Sequence, residues 1–108
     1  MVVALIVSMN QPDTRLVDAS RDCRAGIRGD NNRSLSLDMI GEDPVSGLDT
    51  FADVECVLHQ LDVPDSVYQK MVTTTSLAGR QTDSWDGIDA SWTYHPSNGL
   101  DVILELKD

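Results

Sequence analysis

The segment WDGIDASWTYHPSNGLDVILEL, residues 85–106, decides the fold of this chain. Apolar and polar side chains alternate along residues 88–94 and again along residues 100–106, which places the apolar set on one face of each strand. The Pro-Ser-Asn-Gly sequence between them favours a turn, because Asn and Gly tolerate positive φ and Pro is excluded from a central strand. The segment therefore predicts a β-hairpin with one apolar face.

A second hairpin is predicted for residues 23–40. Its first half alternates Cys23, Ala25 and Ile27 with polar or small residues, and residues 35–39 continue the alternation in its second half. A Gly-Asp-Asn-Asn sequence between the halves is a strong turn signal. One face of this hairpin is expected to lie against the core and the other to be polar.

Two helices are predicted between the hairpins, at residues 50–61 and 64–76. Thr50 and Asp53 resemble a capping box with Asp in the place of the usual Glu or Gln, and apolar residues then recur at helical spacing. Residues 14–22 are assigned as a helix, which is favoured over a strand, and residues 80–87 as a polar loop. Residues 1–7 are assigned as a buried strand, with a short hydrophobic helix as the alternative.

These elements predict a single α+β domain over residues 1–108. The expected architecture is a two-layer sandwich, in which an antiparallel sheet built from two β-hairpins is covered on one face by an αα pair. Ile40 and Ile103 fall on the nominally polar face of the strands. Association of edge strands or outer sheet faces into a homodimer is therefore a further expectation.

The chain is strongly acidic, with a formal net charge of −10, and most of the excess lies in residues 49–108. Such a charge repels phosphate backbones and anionic membrane surfaces, so neither nucleic acid nor membrane is expected as a partner. The predicted helix pair could resemble a DNA-binding helix-turn-helix, but residues 49–79 contain a single base, Lys70. A basic protein partner fits the charge, and solubility alone is the simpler explanation of it.

The two cysteines, Cys23 and Cys56, are too few and too far apart to indicate a disulfide framework. They are expected to be buried reduced thiols in a soluble, cytoplasmic protein, because the apolar residues 1–7 lack the features of a signal peptide and are too short to span a membrane.

A candidate partner-binding surface is predicted around Trp85, which has an aspartate close on either side. Trp85 has two interpretations: it folds back over the hydrophobic layer, or it is a partly exposed anchor of the kind that dominates binding hot spots. The predicted surface consists of Trp85, Asp83, Asp86, Asp89, Asp53 and Glu55.

Arg24 and Arg28 are predicted to share one face of a strand with the small Gly26 between them, which would suit bidentate binding of a carboxylate or phosphate. The alternative is a solvated face, on which these arginines pair with Asp22, Asp30 or Asp38.

Enzymatic chemistry is the minority expectation, and the sequence predicts no catalytic residue, cofactor or metal. Two residue sets keep a small-ligand or metal-dependent enzyme open. The first contains the closely spaced Asp83, Asp86 and Asp89, and the second contains Cys23, Cys56, His59 and His95.

The sequence thus favours a small acidic protein-interaction module, such as an inhibitor or immunity-type protein for a basic partner. An enzyme that uses the aspartates or the Cys/His set is one alternative. A structural homodimer without independent activity is the other.

Overall fold

The computed structural model describes residues 13–45 and 47–107, so the strand predicted for residues 1–7 lies outside the described residues. The described part contains helices, one short 3₁₀ helix and strands. The helices are α1 (Arg15–Cys23), α2 (Phe51–Gln60) and α3 (Asp65–Val72), the 3₁₀ helix is Ser76–Ala78, and the strands are β1 (Ile27–Gly29), β2 (Ser34–Asp38), β3 (Gln81–Trp85), β4 (Ile88–His95) and β5 (Gly99–Leu106).

The strands form one antiparallel sheet in the order β1-β2-β5-β4-β3. The helices pack on one face of it, so the predicted α+β fold is confirmed. Within the described residues, no helix is long and apolar enough to cross a bilayer.

The hairpin predicted for residues 85–106 forms as β4 and β5, with Ile88 opposite Leu106 and His95 opposite Gly99. Its alternating apolar residues lie in the core, where they meet residues of all three helices. The buried set from β4, β5 and the helices is Ile88, Ala90, Trp92, Leu100, Val102, Leu104, Leu106, Leu16, Ala19, Cys23, Val54, Val57, Leu58, Val67 and Met71.

The hairpin predicted for residues 23–40 is shorter than expected, and the side chains of its first strand lie on the opposite faces of the sheet from those predicted. Cys23 ends α1 rather than beginning a strand, and Arg24 and Gly26 both have positive φ, at 53° and 82°. These two residues turn the chain, so Ile27 pairs with Ser36 on the side away from the helices and is 58% exposed. The prediction that Ile27 lies in the core is therefore wrong.

The capping box at the start of α2 is confirmed. The Asp53 N–H donates to Thr50 Oγ1 at 3.1 Å, and the Thr50 N–H donates back to the Asp53 carboxylate at 2.9 Å. The helix predicted for residues 64–76 ends at Val72, because the hydroxyls of the next two threonines donate to helix carbonyls and compete with the regular pattern.

The helix favoured for residues 14–22 is confirmed as α1, and it leads to a correction. Cys23 of α1 and Cys56 of α2 form a disulfide, with their Cα atoms 5.8 Å apart. The expectation of two reduced thiols is therefore wrong. Because α1 packs directly on α2, the 33-residue separation of the cysteines along the chain does not keep them apart.

Candidate functional site

The sheet face that the helices leave uncovered carries a row of uncharged side chains across all five strands. Cross-strand partners point to the same face, so the register defines the row. It consists of Ile27, Ser36, Ile103, Ser91 and Thr82. We call the side of the sheet that carries this row the outer face.

Carboxylates lie on both sides of the uncharged row. In the register, Glu105 and Asp89 are paired on one side of it, while Asp38 and Asp101 are paired on the other. Serine and threonine residues lie next to these acids on the neighbouring strands: Ser34, Ser84 and Thr93. The outer face therefore has an uncharged centre that contains two isoleucines and a rim that contains four acids.

A shallow depression of about 400 Å³ lies on the outer face over β3, β4 and β5, and Thr82, Ser91 and Ile103 contribute to its lining. Two bases lie beside it. An Arg80 guanidinium N–H donates to Ser91 Oγ at 3.1 Å, and the Lys107 ammonium lies 3.4 Å from the Asp89 carboxylate. With four acids and two bases, the face remains net negative.

The paired Asp38 and Asp101 give the outer face a carboxyl group that titrates near neutral pH. Burial raises the pKa of Asp101 to about 6, and its hydrogen bond with Asp38 and the charge of Asp38 act in the same direction. Arg80 opposes the shift more weakly. The buried Oδ1 atom of Asp101 has no hydrogen-bond partner among the described residues.

Trp85 does not belong to any exposed surface. It is the last residue of β3, it is only 8% exposed, and its indole N–H donates to the Leu61 carbonyl at 2.9 Å. Of the two interpretations of Trp85, the structure contradicts the exposed anchor. The prediction of a polar loop at residues 80–87 is also wrong for most of that segment, because Gln81–Trp85 forms an edge strand.

The three aspartates near Trp85 point in different directions. Asp83 is paired with Ala90 on the helix side, where its carboxylate binds Lys70 Nζ at 2.8 Å, and this hydrogen bond lowers the pKa of Asp83. Asp86 lies in the turn before β4, with φ at 50°. Asp89 alone among the three lies on the outer face.

The two predicted acids of α2 have structural partners. Asp53 completes the capping box, and the Glu55 carboxylate accepts a hydrogen bond from the Tyr68 hydroxyl, which raises the pKa of Tyr68. Both acids lie in the helical layer, on the side of the sheet opposite Asp89. The structure therefore does not assemble the six predicted residues into one surface.

The Cys/His set is also dispersed. The disulfide leaves no thiolate on Cys23 or Cys56 for a metal or a substrate. The His59 ring packs edge-on against Tyr68 at a centroid distance of 5.5 Å, and His95 Nδ1 accepts the Ser97 N–H at the far end of β4.

The two arginines predicted to bind an anion do not share a strand face, because Arg24 caps the C-terminal end of α1 and Arg28 lies in β1. They nevertheless line the same cleft of about 490 Å³, between the end of α1 and β1. The structure thus places both arginines at one cleft, although not on one strand face as predicted.

Asp49 is a buried residue beside this cleft that sequence reasoning missed. It is 5% exposed, and its two carboxylate oxygens accept the N–H groups of Gly26 and Asp38, each at 3.1 Å. Its partners are 23 and 11 residues away along the chain, so no local sequence pattern marks it.

Comparison of the chain with protein families, with curated proteins and with solved structures finds no match in any of the three.

Proposed function

We propose that the protein is an interaction module that binds a basic protein partner through the outer face. The single observation that carries this proposal is the layout of that face, where an uncharged row with Ile27 and Ile103 lies between two rows that carry carboxylates. Interface centres are commonly depleted of charge and have a polar rim. A partner with an apolar centre and basic surroundings complements this layout.

The charge of the whole chain supports the same kind of partner. A net charge of −10 attracts basic proteins over several ångströms and accelerates their association. An enzyme with a basic active site, such as a nuclease, is a partner of this chemistry. We therefore propose an inhibitor or immunity-type role, in which the outer face covers a basic surface.

The two alternatives have less support from the described residues. A face-to-face homodimer would bring two net-negative surfaces together, although Ile27 and Ile103 would suit its centre. For the enzyme, Asp83 and Asp89 lie on opposite faces of the sheet and both cysteines are in the disulfide.

The cytoplasmic location predicted from the sequence remains a prediction that the disulfide does not favour. Disulfides persist mainly in oxidising compartments, and cytosolic thiols are kept reduced. The Cys23–Cys56 bond supports a partner that is met in an oxidising compartment.

The proposal is tested with Ile103→Arg, which places a charge at the centre of the outer face. Proteins captured by the wild-type chain would be identified, purified and titrated against each variant by calorimetry. We expect a partner of basic isoelectric point whose affinity falls roughly thirtyfold or more for Ile103→Arg, the range of a central hot spot.

The matched control is Leu77→Arg, because Leu77 is a 96% exposed apolar residue in the 3₁₀ helix. This variant adds the same charge and should bind the partner as the wild type does. An acidic partner, or equal affinity for both variants, would contradict the proposal. Light scattering that shows a wild-type dimer, abolished by Ile103→Arg, would assign the face to self-association instead.

A further inference from the structure

The cleft between the end of α1 and β1 concentrates positive charge in an otherwise acidic chain. Three arginines contribute to its lining, from the last turn of α1, from the residue that caps it and from β1. The lining residues that matter here are Arg21, Arg24, Arg28, Gly26, Leu48 and Asp49.

Two of these arginines have no acidic partner among the described residues. Arg21 lies 2.7 Å from the Asp18 carboxylate, but no carboxylate within residues 13–45 and 47–107 pairs with Arg24 or Arg28. This is unexpected in a chain where acids outnumber bases 18 to 8. An anion bound in the cleft could accept paired N–H donors from the guanidinium groups that line it.

The buried Asp49 brings one negative charge to the lining, but among the described residues it forms no ion pair with Arg24 or Arg28. Both of its oxygens are already engaged by backbone N–H groups, those of Gly26 and Asp38. Asp49 therefore holds the backbone of the cleft in place, and the guanidinium groups of Arg24 and Arg28 remain available to a ligand.

The backbone that carries the arginines is fixed at several positions. Arg24 follows the disulfide-bonded Cys23 directly, and its own N–H donates to the Arg21 carbonyl. Two residues later, the Gly26 N–H is held by Asp49. A site whose backbone is already ordered loses less conformational entropy when it binds a ligand.

An apolar side chain completes the cleft. Leu48 is 71% exposed although it is a large aliphatic residue, and it lies in the lining with Arg24 and Arg28. A simple inorganic anion would leave Leu48 in water. A ligand that carries an apolar group beside its negative charge would cover it and gain from the apolar area removed from water.

We propose that this cleft binds a carboxylate attached to an aliphatic group, as at the C-terminus of a peptide that ends in an aliphatic residue. Arg24 and Arg28 bind the carboxylate, and Leu48 contacts the aliphatic group. This site is separate from the outer face and does not depend on the function proposed for that face.

The test is a titration of the ¹⁵N-labelled chain followed by amide chemical shifts, with N-acetyl-leucine as the probe. We expect saturable shifts of the Gly26 and Leu48 amides, and binding weaker by about tenfold or more in the double variant Arg24→Gln with Arg28→Gln. N-acetyl-leucinamide, which lacks the charge, should produce no saturable shift. Acetate and inorganic phosphate, which lack the aliphatic group, should bind more weakly.

Two further variants separate the contribution of the cleft arginines from that of other charges and from that of Leu48. Arg80→Gln with Lys107→Gln removes two charges that lie beside the outer face and outside the lining of the cleft, so it should bind N-acetyl-leucine as the wild type does. Leu48→Ser should weaken N-acetyl-leucine binding and leave acetate binding unchanged. The altered side chains are exposed, and an unchanged spectrum elsewhere shows that each variant is folded.

Several outcomes would overturn the proposal. Equal binding of N-acetyl-leucine and its amide would show that the arginines do not select a carboxylate. Phosphate or acetate binding as tightly as N-acetyl-leucine would remove the role of Leu48. Shifts that survive in the Arg24/Arg28 variant, or no shifts at these amides at tens of millimolar probe, would dismiss the site.

Discussion

The two faces of the sheet are built by the same five strands, yet they differ in almost every side chain. Along β4 and β5, successive residues alternate between an apolar set, buried except for the half-buried Tyr94, and a set made mainly of serines, threonines and carboxylates. Burial fixes the chemistry of the first set, because each apolar residue removed from water stabilises the fold. No helix within residues 13–45 and 47–107 covers the outer face, so packing among these residues does not explain why it carries Ile27 and Ile103.

This difference between the two faces of the sheet indicates where a functional surface can lie in a small two-layer fold. The residues predicted from the sequence as a binding surface are mostly engaged in holding the fold, as Trp85, Asp83 and Asp53 show. The outer face has fewer such contacts, and no helix of the described part of the chain packs on its central row.

The largest effect is expected when two adjacent residues of β5, one on each face of the sheet, are substituted separately. Leu104 is fully buried and Ile103 is half-buried on the outer face. Leu104→Ala should lower the free energy of unfolding by about 4 kcal/mol, since it removes core contacts and leaves a cavity. Ile103→Ala should lower it by about 1 kcal/mol or less. Urea unfolding followed by tryptophan fluorescence measures both.

Similar losses for the two variants would mean that the outer face is covered in the folded protein, and the comparison between the faces would fail. A slip of one residue in the register of β5 would reverse the two values, because it exchanges the faces.

The disulfide gives the second test, because it lies wholly in the helical layer. Replacing Cys23 and Cys56 together by serine should lower the free energy of unfolding by about 3 kcal/mol, the range expected for a bridge that closes a loop of this length. Chemical denaturation measures the loss. The amide shifts of Ser91 and Ile103, which lie on the outer face, should stay unchanged.

Reduction of the wild-type chain with dithiothreitol supplies the control for this test. It should reproduce the lower stability, and it should have no effect on the serine variant. A wild-type stability that does not respond to reduction would show that the two thiols are not bonded in the folded protein.

The features that local sequence predicts are those whose causes are local. The alternation in residues 88–106 and the Thr50–Asp53 capping box depend on neighbouring residues, and both are confirmed. The strand order, the disulfide and the Asp49 contacts join distant parts of the chain, so no spacing predicts them.

The missed edge strand β3 and the misplaced Ile27 have more specific reasons. Gln81 and Asp83 occupy the helix side of β3, where Asp83 binds Lys70, so the strand lacks the apolar alternation that marks a half-buried strand. Ile27 is turned outward because Arg24 adopts a left-handed conformation that is uncommon for a residue other than glycine. From the sequence, the outer face is indicated only by Ile40 and Ile103, apolar residues at nominally polar positions.

The smallest expected change in the free energy of unfolding comes from the protonation of Asp101 on the outer face. The pKa of Asp101 is about 6 in the folded chain, above the ordinary value of 3.8. The contribution of Asp101 protonation to the free energy of unfolding is therefore complete below about pH 4 and is lost as the pH rises through 6. Asp101→Asn keeps a neutral group beside Asp38 at every pH. It should raise the free energy of unfolding at pH 8 by about 1 kcal/mol, allowing for solvent screening, and should have almost no effect at pH 4.

Asp89→Asn is the matched control, because Asp89 lies on the same face and is also opposite an acid, Glu105, but its carboxylate lies 3.4 Å from the Lys107 ammonium. It should change stability by less than about 0.5 kcal/mol, with no gain at high pH. Denaturation of both variants between pH 4 and 8 gives the comparison. An equal effect of Asp101→Asn at both ends of this range would show that Asp38 and Asp101 do not share a proton. In that case the outer face would carry a fixed charge, and the binding of a basic partner would not depend on pH through this pair.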